Sequence, residues 1–127
     1  MSAVTFQVAV KALHYKEGKL LLIKDDKGDW DLPGGRIGYG ESLQQALQRE
    51  CFEEIGVQCK ITDERPKYVW PALNKSGTWR INVCYTVELD SIEFKPSEEN
   101  VEYGYFSINE AKQLNLCLHL KQLSEIK

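Results

Sequence analysis

GRIGYGESLQQALQRECFEEIGV, residues 35–57, runs from a glycine-rich loop into a helix, and the rest of the chain is best read outward from it. Ser42 suits the N-cap, because its oxygen can accept from the free N–H groups at a helix start, and Gln45 three residues on completes a capping box. Gly56 suits the C-cap, where a residue without Cβ enters the left-handed conformation cheaply. The helix between them is predicted over Leu43–Ile55. Successive helical residues turn by about 100°. Leu43, Ala46, Leu47 and Cys51 therefore share one apolar arc, and Glu50, Glu53 and Glu54 fall inside it or on its edge, while Gln44, Gln45 and Gln48 lie outside. The three acids are expected to point inward. Like charges three and four residues apart repel by about 0.2–0.5 kcal/mol per pair on a helix surface. Burial deepens that cost unless the carboxylates gain protons or positive charge. Arg49 supplies one charge, and a divalent metal ion would supply the rest. For the helix alone an ordinary charged face is the simpler alternative; its surroundings decide against that.

The chain has 127 residues, enough for one domain with a real core and too few for two, so a single domain over residues 1–127 is expected. With 43% apolar and 28% charged residues it reads as a globular protein rather than a disordered one. A net charge of -3 leaves no basic footprint for stable nucleic-acid binding. Small phosphates held through metal are compatible with it. Residues 1–10 lack a basic segment followed by a long apolar run, and no stretch approaches the roughly 18 apolar residues of a membrane span, so the expected location is cytoplasmic. Cys51, Cys59, Cys84 and Cys117 form no close pair in sequence and are expected to be buried, reduced thiols.

Residues 6–15 (FQVAVKALHY) and 19–24 (KLLLIK) flank a turn at Glu17 and Gly18 and together read as a hairpin. Residues 30–32 form a brief extended piece before Pro33, which disfavours helix at the residue ahead of it. A glycine-rich loop over residues 34–40 leads to the central helix. Two extended stretches follow, 57–69 and the clearer 78–89 (TWRINVCYTVEL). Residues 91–100 are a polar, acidic loop, and 101–106 return to strand character. Ser107 and Glu110 repeat the capping-box pattern before a short helix, and 114–126 read as a final helix. Strands around one well-marked helix make the fold class α+β.

Residues 35–57 also resemble the Nudix box: a glycine, five residues, a glutamate, seven residues, Arg-Glu, an aliphatic residue, any residue, Glu-Glu, any residue, a glycine and an aliphatic residue. Gly35, Glu41, Arg49, Glu50, Glu53, Glu54, Gly56 and Val57 fall on that pattern. Cys51 departs from it, standing where Ile, Leu or Val is usual, and packs as a small hydrophobe. Trp30-Asp31-Leu32-Pro33-Gly34 resembles the usual lead-in. The resemblance implies a Nudix-type α/β/α sandwich, a mixed sheet with the box helix packed on it.

It also implies a reaction, hydrolysis of a nucleoside diphosphate linked to another group, with Mg2+ as cofactor and Mn2+ able to replace it. Glu50, Glu53 and Glu54 would hold the metal with the carbonyl of Gly34, since hard cations prefer oxygen ligands. In such proteins the base is either a box glutamate, here Glu50, or an acid of a later loop, here among Glu98, Glu99 and Glu102; Glu50 is the expected one, with Glu53 and Arg49 completing the catalytic set. Glu99 or Glu102, in the later acidic loop, is expected as an auxiliary ligand, or else merely solvates that loop. Glu41 is expected to support the carboxylates together with Arg49; a plain ion pair is the alternative for these two. Gly35 and Arg36 in the loop, and the aromatic residues Trp30, Tyr39 and Trp70, are candidates for substrate contact. Trp79 and Tyr103 are further stacking candidates, and core or rim packing is the competing reading for each aromatic. His14 and His119 are isolated and read as core or surface residues.

The short chain favours a nucleoside triphosphate pyrophosphatase. ADP-ribose or dinucleoside-polyphosphate hydrolysis is the alternative, with Pro71 near the position of an ADP-ribose marker but without its neighbours. A non-catalytic nucleotide-sensing module is the reading from another class, and the presence of every box acid weighs against it. The expected partner is a small-molecule nucleotide, with no stable nucleic-acid complex and no membrane; a homodimer is compatible with the sequence.

Overall fold

The structure, a computed structural model, describes residues 5–121. These form the strands β1 (Gln7–Leu13), β2 (Tyr15–Lys16), β3 (Lys19–Asp25), β4 (Trp30–Asp31) and β5 (Gly34–Arg36), the helix α1 (Leu43–Ile55), the strands β6 (Cys59–Ile61), β7 (Tyr68–Leu73), β8 (Trp79–Leu89) and β9 (Asn100–Phe106), and the short helices α2 (Ile108–Ala111) and α3 (Leu118–Lys121). The central helix has the predicted bounds. Ser42 and Gln45 exchange both capping-box hydrogen bonds, and Gly56 closes the helix in the left-handed conformation at φ 67°. Ser107 and Glu110 cap α2 in the same way.

The predicted hairpin is only half right. Tyr15 pairs with Leu20 and Lys16 with Lys19 through the turn at Glu17 and Gly18, whose positive φ angles, 52° and 76°, suit a two-residue hairpin turn. β1, however, belongs to another sheet, where it runs parallel to β8 from Gln7–Arg80 to Leu13–Thr86. Burial explains this. Ala9, Val10, Lys11, Ala12 and Leu13 are all buried, so β1 must be covered on both faces, as an inner strand is and a hairpin edge is not. The stretch 57–69 also divides. Cys59–Ile61 pairs with β8; the polar run TDERPK then turns, with Asp63 accepting from the Arg65 N–H and Pro66 lacking a donor, and a second strand, β7, begins at Tyr68 and pairs with β8 in its turn. The first residues of the glycine-rich loop are a strand, β5, antiparallel to β1. The final helix starts later than expected, at Leu118, because Leu116 forms a bridge with Trp30; residues 122–126 of that expectation lie outside the described residues.

One sheet therefore has the order β5-β1-β8-β6 with β7 also on β8, and the other has β2-β3-β4 with β9 on β3. Alternate strand residues face opposite sides. Val10, Ala12, Leu21, Ile23, Val83, Tyr85 and Val87 pack with Ala46, Leu47, Cys51 and Ile55 of α1. Leu13, Leu20, Leu22 and Cys84 pack on the other side with Trp30, Trp70, Ala111 and Leu120. Helices thus cover both faces of mixed strands, the α/β/α arrangement expected. No helix among the described residues is long and apolar enough to cross a membrane.

Candidate active site

Two glycines let the loop lie against the acidic flank of α1. Gly34 has φ 141°, a conformation L side chains rarely adopt, and a Cβ there would overlap the carbonyl oxygen of Val10. Its N–H donates to Glu54 Oε1 at 2.7 Å. A Cβ on Gly35 would stand 2.7 Å from the Glu50 carboxylate. Further along, the Gly38 N–H donates to Glu41 Oε1 at 2.5 Å, which ties the loop to the start of the helix.

Arg49 gathers three of the acids. Its Nε donates to Glu41 Oε2 at 2.7 Å and its Nη2 to Glu41 Oε1 at 2.9 Å, a bidentate pair; Nη1 reaches Glu50 Oε1 at 2.9 Å and Glu53 Oε2 at 3.3 Å, and Nη2 also meets the Arg36 carbonyl at 3.2 Å. A guanidinium matches carboxylates in this forked way because its donors are planar and fixed. Hydrogen bonds from Arg49 and the Gly38 N–H hold the Glu41 carboxyl below its ordinary range, and Glu41 and Glu50 in turn push the Arg49 guanidinium up.

The three glutamates are not equally inward. The Glu50 side chain is 17% exposed and Glu54 is half-buried, but Glu53 is 56% exposed, which corrects the expectation for it: Glu53 falls on the edge of the apolar arc and leans into solvent with Arg49 beside it. Burial pushes the Glu54 carboxyl up to about 8, against the pull of Lys11 and the Gly34 N–H and with the nearby charges of Glu50 and Asp31 adding to it. Glu54 therefore stands where further positive charge is favourable. The trio does not close to within 4.8 Å of one another, as the Asp31, Cys117 and His119 ligand atoms do. Oxygen donors and a surplus of negative charge beside a close-lying backbone nonetheless fit a hard divalent cation, which takes a few carboxylates and keeps several waters.

Beside the acids opens a cleft of about 700 Å³ lined by Phe6, Gln7, Arg36, Tyr39, Arg49 and Glu50, among others. Tyr39 and Arg36 are exposed there. The other aromatic candidates lie elsewhere. Trp30 is buried edge-on to Phe106, 4.9 Å between ring centres, and Trp70 is buried with its Nε1 donating to the His119 carbonyl at 3.0 Å. Both rings are core pieces on the face away from α1, which corrects their reading as substrate contacts. Trp79 is exposed on β8, and Tyr103 packs against Phe94. Glu102 pairs with Lys24 at 3.6 Å across β9 and β3, and exposed Glu99 bonds through its N–H to Ser97.

A buried ionic network went unread in the sequence. Lys11, 3% exposed, donates to Asp31 Oδ2 at 2.8 Å, and His119 Nε2 meets the same oxygen at 2.8 Å. The signal was present: a lysine inside the apolar run VAVKAL needs a buried counter-charge. His119 is a core histidine, as read; His14 hydrogen-bonds the Val87 carbonyl through Nδ1.

The family model described as NUDIX domain matches residues 5–125, and the chain belongs to that family. An ADP-ribose pyrophosphatase from Methanocaldococcus jannaschii is 31% identical over 111 residues, covering 84% of this chain and 65% of that protein. A putative 8-oxo-dGTP diphosphatase from Bacillus subtilis is 38% identical over 64 residues, 46% of this chain and 43% of the relative. The chain thus spans less than two thirds of the length of either. The crystal structure of a MutT NUDIX hydrolase from Burkholderia pseudomallei superposes with a TM-score of 0.80 over 97% of this chain and 99% of that one at 20% identity, a likeness of fold.

Proposed function

We propose that the protein is a divalent-metal-dependent pyrophosphohydrolase that cleaves the pyrophosphate linkage of a nucleotide, with nucleoside triphosphates as the favoured substrates. The observation that carries this reading is the Arg49 clamp on Glu41, Glu50 and Glu53, set beside Glu54 on the Gly34 loop, in a NUDIX chain. Glu50, Glu53, Glu54 and the Gly34 carbonyl would hold Mg2+, or Mn2+ in its place. A bound dication neutralises charge on the phosphate oxygens and makes water a better nucleophile at neutral pH.

The chain's own groups supply the remainder. Arg49 occupies Oε1 of Glu50 and leaves Oε2 to take the proton of the attacking water. Glu41 fixes Arg49, so Glu50 and Glu53 are aimed before substrate arrives. Arg36 and Tyr39, exposed on the cleft wall, meet the phosphates and a flat group of the substrate. Glu102, committed to Lys24, takes no part in this reading.

The test is a panel of nucleoside triphosphates, oxidised nucleoside triphosphates, ADP-ribose, nucleotide sugars and dinucleoside polyphosphates with Mg2+, followed by phosphate or pyrophosphate release. Turnover is expected with Mg2+ and lost in Glu53→Gln. Equal turnover in that variant, or in the presence of a chelator, overturns the proposal; ADP-ribose as the best substrate would retain the chemistry and replace the substrate class.

A further inference from the structure

A carboxylate, a thiol and an imidazole meet where β4 touches the segment ahead of α3. Asp31, Cys117 and His119 each place one ligand atom there, and the three atoms lie within 4.8 Å of one another. Backbone pairing brings them together. The Trp30 N–H donates to the Asn115 carbonyl at 2.7 Å and the Cys117 N–H to the Trp30 carbonyl at 2.8 Å, which holds Asp31 beside Cys117. The Cys117 carbonyl then accepts from the N–H groups of Leu120 at 3.0 Å and Lys121 at 3.1 Å. That turn carries His119 back to Asp31, with Nε2 at 2.8 Å from Oδ2.

Two observations set this cluster apart from ordinary packing. Cys117 is 8% exposed, and no hydrogen bond among the described residues engages its sulfur. Cys117 and His119 also line a recess of about 300 Å³, walled further by Asp25, Asn74, Lys75 and Arg80, so a small cation can reach them. Asp25 and Asp29 bring two more carboxylates within 4.8 Å of the Cys117 sulfur. Lys75 pairs with both, so they add negative charge beside the triad without completing it.

We propose that Asp31, Cys117 and His119 form a Zn2+ site that pins the segment ahead of α3 to β4. A thiolate, an imidazole and a carboxylate suit Zn2+, whereas Mg2+ and Mn2+ go to all-oxygen sets such as the acids of α1. Zn2+ holds N and O donors at about 2.0–2.1 Å and sulfur at about 2.3 Å, which in a tetrahedron sets neighbouring donors about 3.3–3.6 Å apart. The 2.8 Å between His119 and Asp31 opens slightly to meet that spacing, and Cys117 closes on it from within 4.8 Å. The fourth position faces the recess and takes water. His119 binds as the neutral imidazole with its proton on the other ring nitrogen, and the Cys117 thiol passes its proton to solvent as the S–Zn bond forms. Lys11 keeps its 2.8 Å hydrogen bond to Asp31 and orients that carboxylate, as outer partners of metal ligands do. Cys117 packs in the core cluster on the face away from α1, so the metal differs from the box cation in both place and chemistry.

The site does not depend on the hydrolase reading. The full chain is stripped of metal with a chelator, then titrated with Zn2+ against a chromophoric chelator and separately with Co2+, with excess Mg2+ throughout to occupy the carboxylates of α1. One Zn2+ per chain is expected, and Co2+ is expected to give a thiolate-to-metal charge-transfer band with tetrahedral bands in the visible. Loss of an outer partner of a metal ligand costs about 10- to 100-fold in affinity, so loss of a ligand itself in Cys117→Ala should weaken Zn2+ at least about 100-fold and remove the charge-transfer band. Cys117→Ser keeps the size of the side chain and is expected to behave alike, and circular dichroism shows that either variant is folded. Cys59→Ala, in the other core cluster, should bind as wild type does. Zn2+ should raise the melting temperature of wild type and leave that of Cys117→Ser unchanged. A Co2+ complex without the thiolate band, a band that survives both Cys117 variants, or equal Zn2+ affinity in Cys117→Ser and wild type would overturn the proposal. Zn2+ bound through Cys117 without slower hydrogen exchange at the Cys117 and Leu120 N–H groups refutes the pinning.

Discussion

Arg49 and Glu41 face each other through two parallel hydrogen bonds, Nε to Oε2 at 2.7 Å and Nη2 to Oε1 at 2.9 Å, although eight residues separate them along the chain. This leaves Nη1 as the arm that reaches Glu50 and Glu53. A lysine keeps the charge but has no fork, so it cannot hold Glu41 and Glu50 together. Arg49→Lys is expected to lower kcat/KM or metal affinity about 10- to 100-fold, the usual effect of removing a group that orients ligands. Steady-state kinetics across an Mg2+ titration measure it, with circular dichroism to show that the fold persists. Wild-type kinetics in Arg49→Lys would reduce the clamp to an ornament of the surface.

Asp31 joins Lys11 and His119 within the core, and its removal strands a buried ammonium group. Asp31→Asn is expected to destabilise the fold by about 3 kcal/mol, the scale for breaking a buried pair from one side. The sign of its pH dependence follows from the shifts. Burial alone would raise the Asp31 carboxyl, but Lys11 and His119 hold it well below the usual carboxylate range. The unfolded carboxyl titrates near about 3.9. A depressed folded pKa gives stability that is present above that value and is lost as pH falls through the folded one. Lys11, raised by Asp31 despite its burial, contributes fully below about 10.4 and loses its contribution as pH rises through its folded value. The stability gap between wild type and Asp31→Asn should therefore stay flat near neutrality and narrow below about pH 4. Urea melts at a series of pH values check this, and a gap that widens in acid contradicts it.

Trp70 and Tyr39 should separate stability from binding. Trp70→Phe keeps a ring in the core but leaves the His119 carbonyl without its donor, so a loss of about 1 kcal/mol is expected. Tyr39 is exposed on the cleft wall, and Tyr39→Ala should leave the melting temperature unchanged while raising KM. A drop in melting temperature in Tyr39→Ala, or an unchanged one in Trp70→Phe, would reverse these assignments.

Local chemistry was legible in the sequence, and pairing across long separations was not. Ser42, Gln45 and Gly56 fixed α1 to the residue because caps act within a few positions of the groups they satisfy. The box acids were legible for the same reason, since a helix brings residues 50, 53 and 54 together without help from the rest of the chain. The departure of β1 from its predicted hairpin depended on β8, some seventy residues away, whose parallel pairing no local pattern announces. Trp30 and Trp70 read alike as stacking candidates because only the packed fold distinguishes a core ring from an exposed one. Lys11, Asp31 and His119 likewise become a network only when β1, β4 and α3 converge.

Gly34 and Gly35 are neighbours whose replacement by alanine should fail in different ways. At Gly34 the backbone is strained for any L residue, and the new Cβ would run into the Val10 carbonyl, a backbone atom that cannot step aside. Gly34→Ala is expected to destabilise the protein by about 2–3 kcal/mol at least, the upper range for one strained residue. At Gly35 the backbone conformation accepts a side chain, and the atoms nearest the new Cβ are the end of Glu50, 2.7 Å away at its Cδ. Glu50 can swing away. Gly35→Ala should therefore melt close to wild type yet lose about 100-fold in kcat, as expected when a proton acceptor is moved by an ångström. Thermal melts and single-turnover rates on the two variants decide the matter, because a Gly35→Ala protein with full kcat would mean that Glu50 is not the base.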